Sequence, residues 1–313
     1  MELTTNLMLL LAGITILVWG ANKFVDHASV IAKHLGVGDL VIGLTLIAAG
    51  TSAPEVFVGI SAVLNGSEDI ALGTAIGSNI SNIALIFGVS CLYFNSASKT
   101  HLWNLAPFGL TVVLLGLTLV DGTISFDESM GFVGLFMLFM FILMKTDGVP
   151  EEEESETSEF TKSLFLSMIG LFGLMAGANI SIVYAESTAI LLGISELIIG
   201  LTIIALGTSL PELAATVAAL KKGRHQMVVG NIIGSNVLNL VFVIPIIGFF
   251  GTVQLSPLIM QRDFSILAVL SLVFILLATS LSKLKFRRGF YVTAGIILVA
   301  GYILYIATLS GVI

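Results

Sequence analysis

Residues 36–55 read GVGDLVIGLTLIAAGTSAPE, residues 193–212 read GISELIIGLTIIALGTSLPE, and thirteen of the twenty positions are identical. The offset of 157 residues holds without a gap from Gly20-Ala21-Asn22, matching Gly177-Ala178-Asn179, to GSNISN at 77–82, matching GSNVLN at 234–239. One unit therefore occurs twice, and it is an apolar unit. Of the 313 residues 57% are hydrophobic and 11% charged, whereas a soluble domain is about one quarter charged. With a mean hydropathy of +1.07, the chain is excluded as a soluble globular enzyme.

A helix needs about 20 apolar residues to cross about 30 Å of hydrocarbon. Ten stretches qualify, at residues 5–25, 39–64, 70–94, 102–120, 126–144, 163–184, 195–220, 226–250, 264–281 and 290–311. The first is read as a retained helix rather than a signal peptide, because no base precedes it and Lys23 follows it. Five spans separate equivalent positions, so each repeated segment crosses in the opposite direction in the second half. The expected fold is thus an all-α membrane protein: ten transmembrane helices in two inverted-topology five-helix repeats, with broken helices at a central ion site. Residues 1–145 form the first repeat, 146–162 an acidic cytoplasmic linker containing EEEESETSE, and 163–313 the second repeat. That run supplies much of the net charge of -7, and like charges in sequence repel and stay solvated.

Basic residues near span ends are kept on the cytoplasmic side. With both termini extracytoplasmic, the inner loops hold Lys23, Lys33, Lys99, Lys145, Lys162, Lys221, Lys222, Arg224, Lys283, Lys285, Arg287 and Arg288, and the outer loops hold Arg262. Twelve of thirteen bases on one side set the expected orientation in the cell membrane. The bias also alternates as inversion requires. The loop after span one carries Lys23 and Lys33 and its counterpart near 185–195 none, whereas the loop after span two carries none and its counterpart Lys221, Lys222 and Arg224. No basic face for nucleic acid is present, and no obligate protein partner is evident. The lone Cys91 cannot form an internal disulfide and is expected to pack in the core.

Each half carries one glutamate deep in an apolar span, Glu55 and Glu212. A charge at the bilayer centre costs about 3 kcal/mol on insertion scales, so an intramembrane carboxylate implies a function. Two facing carboxylates repel unless a cation or proton lies between them. The alternative is a pair of protonated glutamates that only hold helices together. The preceding GTSAP and GTSLP are expected to break or kink spans two and seven, since proline removes a donor and clashes with the previous turn. Carbonyls freed at membrane depth are tolerated where they line a cavity and coordinate ions. The hydroxyls of Thr51, Ser52, Thr208 and Ser209 stand beside the carboxylates. On spans three and eight, Ser78 and Asn82, and Ser235 and Asn239, are four residues apart and share a helix face. Asn79 and Asn236 lie off that face, with ion binding and backbone support both open to them. Gly73, Gly77, Gly230 and Gly234 read as close packing points. The donor set is all oxygen, which suits a hard cation: Ca²⁺ takes about six to eight oxygens at about 2.3–2.6 Å. With no Cys or His beside it, zinc, copper and iron are disfavoured. His27, His34, His101 and His225 fall near loops and are expected to be solvated.

At these residues the sequence resembles the calcium/cation antiporter superfamily, and within it the compact prokaryotic sodium/calcium exchangers. GTSxPE followed by GSNxxN, twice, within residues 36–88 and 193–245, carries the resemblance. It implies exchange of cytoplasmic Ca²⁺ for external Na⁺, both transported ions rather than cofactors, with Glu55 and Glu212 ligating Ca²⁺. It implies Na⁺ coordination by Thr51, Ser52, Ser78, Thr208, Ser209 and Ser235 and by the carbonyls of Ala48 and Ala205, with Asn82 and Asn239 completing the cluster. Some relatives have aspartate at one of those two Asn positions, so this chain has one potential charge fewer. Proton/calcium exchangers of the superfamily carry Asn in place of Ser52 and Ser209, and the hydroxyls favour Na⁺. The rival readings are an H⁺/Ca²⁺ or K⁺-dependent exchanger and, from another class, a cation channel with the glutamates as filter. An intramembrane hydrolase lacks a His or Asp beside Ser52 or Ser209.

Overall fold

The computed structural model describes residues 2–93, 102–145, 157–194, 205–250, 253–254, 256–283 and 288–309. It is almost entirely helical. In chain order the helices are α1 (Glu2–His34), α2 (Asp39–Leu64), α3 (Glu68–Tyr93), α4 (Leu102–Thr118, extended by a 3-10 turn Leu119–Asp121), α5 (Phe126–Lys145) and α6 (Thr157–Leu191). Then come α7 in two pieces (Ala205–Thr208 and Leu210–Lys221), α8 (His225–Phe249), α9 (a π-helical turn Ile259–Phe264 running into Ser265–Lys283) and α10 (Arg288–Leu309). Among the described residues, nine of these are long and apolar enough to cross a membrane. The start of the expected seventh span, 195–204, and linker residues 146–156 lie outside the described residues. Helix α6 begins at Thr157, upstream of the expected span, and its Phe160 ring stacks on His34 of α1 at 4.8 Å. His27, His34 and His225 are half-buried rather than solvated; His101 lies outside the described residues.

The close contacts between helices carry the imprint of the duplication. A Cβ added at Gly13 of α1 would lie 2.8 Å from the Ser181 nitrogen, and one at Gly170 of α6 would lie 2.9 Å from Phe24 Cα. These are one contact moved by the repeat offset. Likewise a Cβ at Gly20 would fall on the Leu174 nitrogen and one at Gly177 on the Leu17 nitrogen. Residue numbers rise on α1 as they fall on α6, so the two helices cross antiparallel about a pseudo-two-fold axis. Helix α2 meets α8 in the other sense. A Cβ at Gly230 would sit 3.0 Å from the Leu44 nitrogen, one at Gly234 2.6 Å from Ala48 Cβ, and one at Gly59 2.9 Å from Val243 Cγ2, so these two run parallel. Helices one and six opposed, two and eight aligned, is the pattern that ten alternating crossings require. Gly230 and Gly234 are the packing points expected of them, whereas a Cβ at Gly73 or Gly77 would meet no described atom within 4 Å; of the helix-seven segment that would face these two, residues 195–204 lie outside the described residues.

Burial sorts the helices into a core and a surround. The most apolar window of α8 is 83% buried and that of α3 78%, against 17% for α1 and 22% for α10. The core helices are thus those that carry the repeated motifs. The equivalent prolines, Pro54 and Pro211, act differently. Helix α7 breaks at Ser209 (φ -87°, ψ 2°), which puts Pro211 in the first turn of Leu210–Lys221, where its missing N–H costs little. Helix α2 instead stays helical over Ala48–Leu64 with Pro54 inside, and the irregularity moves upstream to a π-helical turn, Gly43–Ile47. The expected interruption is therefore a break in one half and a widened turn in the other. The backbone of α2 is pressed on α8 at Gly43, Gly230 and Gly234, alongside that widened turn. A further π-turn, Asn82–Phe87, lies in α3, while α8 runs uninterrupted past Pro245.

Two further ties were not visible in the sequence. Thr123–Ile124 pairs antiparallel with Val253–Gln254, clasping the turns after α4 and α8. At the opposite end, Lys222 Nζ reaches Asp26 Oδ1 at 2.6 Å and the Asn22 carbonyl at 3.0 Å, and Arg224 Nη1 donates to Asp39 Oδ1 at 2.8 Å. These partly exposed pairs contribute at most about 1 kcal/mol each, but they anchor the α7–α8 turn to α1 and α2.

Because the α1–α6 glycines face backbone, Gly177→Ala and Gly20→Ala are each expected to cost about 1–3 kcal/mol by overpacking. The lipid-side Gly134, where a Cβ meets no described atom within 4 Å, is the control: Gly134→Ala should be neutral or gain up to about 1 kcal/mol. Thermal unfolding of the detergent-solubilised protein compares the three.

Candidate ion site

Thr51, Ser52 and Glu55 fall within about one turn of α2, and Ser209 and Glu212 hold the equivalent places around the break in α7. All five are buried, with Glu55 3% and Glu212 1% exposed. The halves meet directly: Ser52 Oγ donates to Glu212 Oε1 at 3.0 Å, and Glu212 lies within the electrostatic reach of Glu55. Ser78 and Asn82 of α3 and Ser235 and Asn239 of α8 are also buried. Thr208 is half-buried at the end of the short piece that Ala205 opens. Ala48 starts the regular part of α2, and its carbonyl is 3.5 Å from Thr51 Oγ1. The described side chains named from the sequence thus lie on the four core helices, on both sides of the pseudo-two-fold axis.

The hydrogen-bond pattern separates two kinds of polar residue. Asn79 Nδ2 donates to the Asn236 carbonyl at 3.0 Å, Asn236 Nδ2 to the Ile232 carbonyl at 2.6 Å, and Asn239 Nδ2 to Asn79 Oδ1 at 3.3 Å. Asn79 and Asn236 therefore join α3 to α8 and brace the backbone. Glu55 Oε2, Glu212 Oε2, Ser235 Oγ and Asn239 Oδ1 are buried with no hydrogen-bond partner, as are Asn236 Oδ1 and Asn82 Nδ2 on the same core helices. A buried polar atom left unpaired costs about 1–3 kcal/mol, and folded proteins keep few of them. Here five of the six are oxygens, and two belong to carboxylates. That donor set suits a hard cation. Among the described residues no third Asp, Glu, His or Cys joins the two glutamates, so the other ligands must be neutral oxygens.

Asn231 and Thr216 escaped the sequence reading. Thr51 Oγ1 donates to the Ile47 carbonyl at 3.0 Å and lies 3.4 Å from Asn231 Oδ1, and Asn231 Nδ2 donates to Thr216 Oγ1 at 3.3 Å. The available signal was one more helical step: Asn231, Ser235 and Asn239 form a stripe four residues apart, matched by Thr74, Ser78 and Asn82.

An inverted pair of five-helix units enclosing a buried oxygen cluster is the architecture of an ion-coupled secondary transporter. The chain belongs to the sodium/calcium exchanger protein family, whose profile matches residues 5–145 and 162–311. It is 34% identical over 315 residues to the inner membrane protein YrbG of Escherichia coli, covering 96% of this chain and 95% of that one. It is 29% identical to the sodium/calcium exchanger MaX1 of Methanosarcina acetivorans, covering 92% and 95%. The solved sodium/calcium exchanger from Methanococcus jannaschii superposes with a TM-score of 0.82 at 31% identity, covering 97% of this chain and 98% of that one. The chain is thus an antiporter-family membrane protein of the two-repeat exchanger fold, and not an enzyme.

The two classes of polar residue should respond differently to truncation. Asn79→Ala removes a bridge between halves and is expected to cost about 1–3 kcal/mol in cation-free protein. Ser235→Ala, which removes a hydroxyl without a partner, should change cation-free stability by less than about 0.5 kcal/mol while reducing the added stabilisation by Ca²⁺ or Na⁺. Unfolding midpoints with and without each ion give both quantities.

Proposed function

We propose that this protein exchanges cytoplasmic Ca²⁺ for external Na⁺ by alternating access at a single site near the bilayer midplane. The observation that carries this reading is the pair of buried carboxylates, one from each inverted half, with Ser52 of the first half donating to Glu212 of the second at 3.0 Å. Two carboxylates balance one Ca²⁺, and monovalent ions can occupy the same oxygens, so the two cations compete for one site. In this reading Glu55 and Glu212 ligate Ca²⁺. Thr51, Ser52, Ser78, Thr208, Ser209 and Ser235, the Ala48 and Ala205 carbonyls and the Asn82 and Asn239 amides serve Na⁺ and complete the cluster. Bare carboxylates in a low-dielectric interior are costly, so the empty carrier crosses slowly and the loaded forms cross readily. Competition with that restriction is sufficient for antiport.

Helices α1 and α6 are the gating pair in this mechanism. Their glycine-lined crossing lets two long helices lie backbone to backbone, a smooth contact along which they move as a unit against α2, α3, α7 and α8. The orientation we propose places both termini and Arg262 outside, with the acidic linker in the cytoplasm, as the twelve-to-one distribution of bases favours.

In proteoliposomes loaded with Na⁺, with the pH gradient collapsed, ⁴⁵Ca²⁺ should accumulate in proportion to the outward Na⁺ gradient. Uptake indifferent to Na⁺ but driven by protons would overturn the Na⁺ assignment, and ohmic single-channel currents would overturn antiport. Glu55→Gln and Glu212→Gln should each reduce Ca²⁺ uptake by about 100-fold, the equivalent of roughly 3 kcal/mol of lost ligation, with a preserved elution profile in detergent. Normal uptake by either variant would refute the shared site. On a Cys91→Ala background, Thr4→Cys should react with an impermeant maleimide on intact cells, and Ser155→Cys only after permeabilisation.

A further inference from the structure

Away from the ion site, a cavity of about 620 Å³ opens between α9, α10 and α3, within the about 300–1,000 Å³ range of small-ligand sites. Its floor is Ile80 and Ala84 of α3, and its walls include Val269, Leu270 and Leu304. Val269 and Leu304 are 63% and 58% exposed, so the cavity faces the surround of the bundle and not its core. At Gly301, at the inner end of the α10 wall, an added Cβ would meet no described atom within 4 Å. Arg262 in the first turn of α9 and Thr308 in the last turn of α10 mark one end of the groove. Both helices are candidate spans, so that end lies at a membrane boundary and the groove runs inward from it.

The charge at the mouth is directional. Arg262 Nε and Nη2 donate to Asp263 Oδ1 and Oδ2 at 2.8 and 3.1 Å, and Tyr305 Oη donates to the same Oδ1 at 3.0 Å. The aspartate side chain is 11% exposed and the arginine side chain 36%. Both carboxylate oxygens are thus occupied, while the guanidinium Nη1 takes no part in this pair and Arg262 lines the cavity. Guanidinium donors match phosphate oxygens. The walls offer a peptide backbone no run of hydrogen-bond partners, which a polypeptide at membrane depth requires, whereas a hydrocarbon chain requires none.

We propose that this groove binds one phospholipid of the bilayer, its phosphate held by Arg262 and one acyl chain lying along Gly301 down to Ile80 and Ala84. The lipid therefore rests on the back of the helix that carries Ser78 and Asn82, since Ile80 and Ala84 project from the opposite face of α3.

Native mass spectrometry of the full chain in detergent tests this with dioleoyl phosphatidylglycerol and, as the phosphate-free control, dioleoylglycerol. One tightly held phosphatidylglycerol per chain is expected, with dioleoylglycerol at least about tenfold weaker, because it lacks the charge-assisted bonds to Arg262. Gly301→Leu, which fills the groove, should lower occupancy by about tenfold or more, and Arg262→Lys, which keeps the ion pair but loses the fork, should lower it about threefold or more. If Gly301→Leu does not fold, Val269→Trp blocks the same wall from the lipid side. Undiminished lipid in the groove-filling variant, equal binding of dioleoylglycerol, a non-saturating series of adducts, or a dimer lost on Gly301→Leu would each overturn the proposal. None of these readouts depends on Ca²⁺ or Na⁺ transport, so this site and the proposed exchange fail independently.

Discussion

Two carboxylates buried in a low-dielectric interior set the terms for the rest of this molecule. Among the described residues no base forms an ion pair with Glu55 or Glu212, and each keeps one oxygen without a hydrogen-bond donor. Such a pair is tolerable only if its surroundings supply dipoles and admit a cation or proton. The surroundings do supply dipoles: Ser52 donates across the halves to Glu212, and the four core helices bury further hydroxyls and amides at Ser78, Asn82, Ser209, Ser235 and Asn239. The cost of this arrangement must be carried by packing elsewhere. The near-complete burial of α3 and α8 and the backbone-close crossing of α1 on α6 provide that packing.

Duplication explains how a chain assembles such a site from so little sequence variety. One unit inserted in both orientations brings two copies of one motif face to face about an axis, and the glycine contacts Gly20 to Leu174 and Gly177 to Leu17 record the operation. Small residues at those crossings are what membrane helices use in place of a hydrophobic driving force.

The sequence made the helices and their inverted order legible, because both depend on periodicity, hydropathy and an exact repeat offset, and the same offset singled out the buried polar residues of the four core helices. Helix α7 broke at Ser209 as the Gly/Pro motif suggested. The π-turn at Gly43–Ile47 was illegible, since nothing local to GLTLI asks for it; it follows from the approach of α2 to α8, a tertiary constraint. The bracing role of Asn79 and Asn236 was half legible. Their position off the Ser/Asn face suggested a different task, but which backbone they would meet depended on the packing of α3 against α8. The strand clasp at Thr123–Ile124 and the half-burial of the loop histidines depend likewise on neighbours that are distant in sequence.

The departures from two-fold symmetry are as informative as the symmetry. Asn79 reaches across to the Asn236 backbone, yet Asn236 turns back onto its own helix. Thr51 is backed by Asn231 and Thr216, whereas the repeat places Thr74 and Gly59 at the corresponding positions. One half has a proline-containing straight helix and the other a break. A perfectly symmetric protein of this design would present the same opening to both sides of the membrane at once. Under alternating access the two halves must differ in any one state and exchange roles in the other. Differences written in the sequence, such as Asn231 against Thr74, stay with their own half, so in the proposed exchange they bias which of the two states the fold prefers.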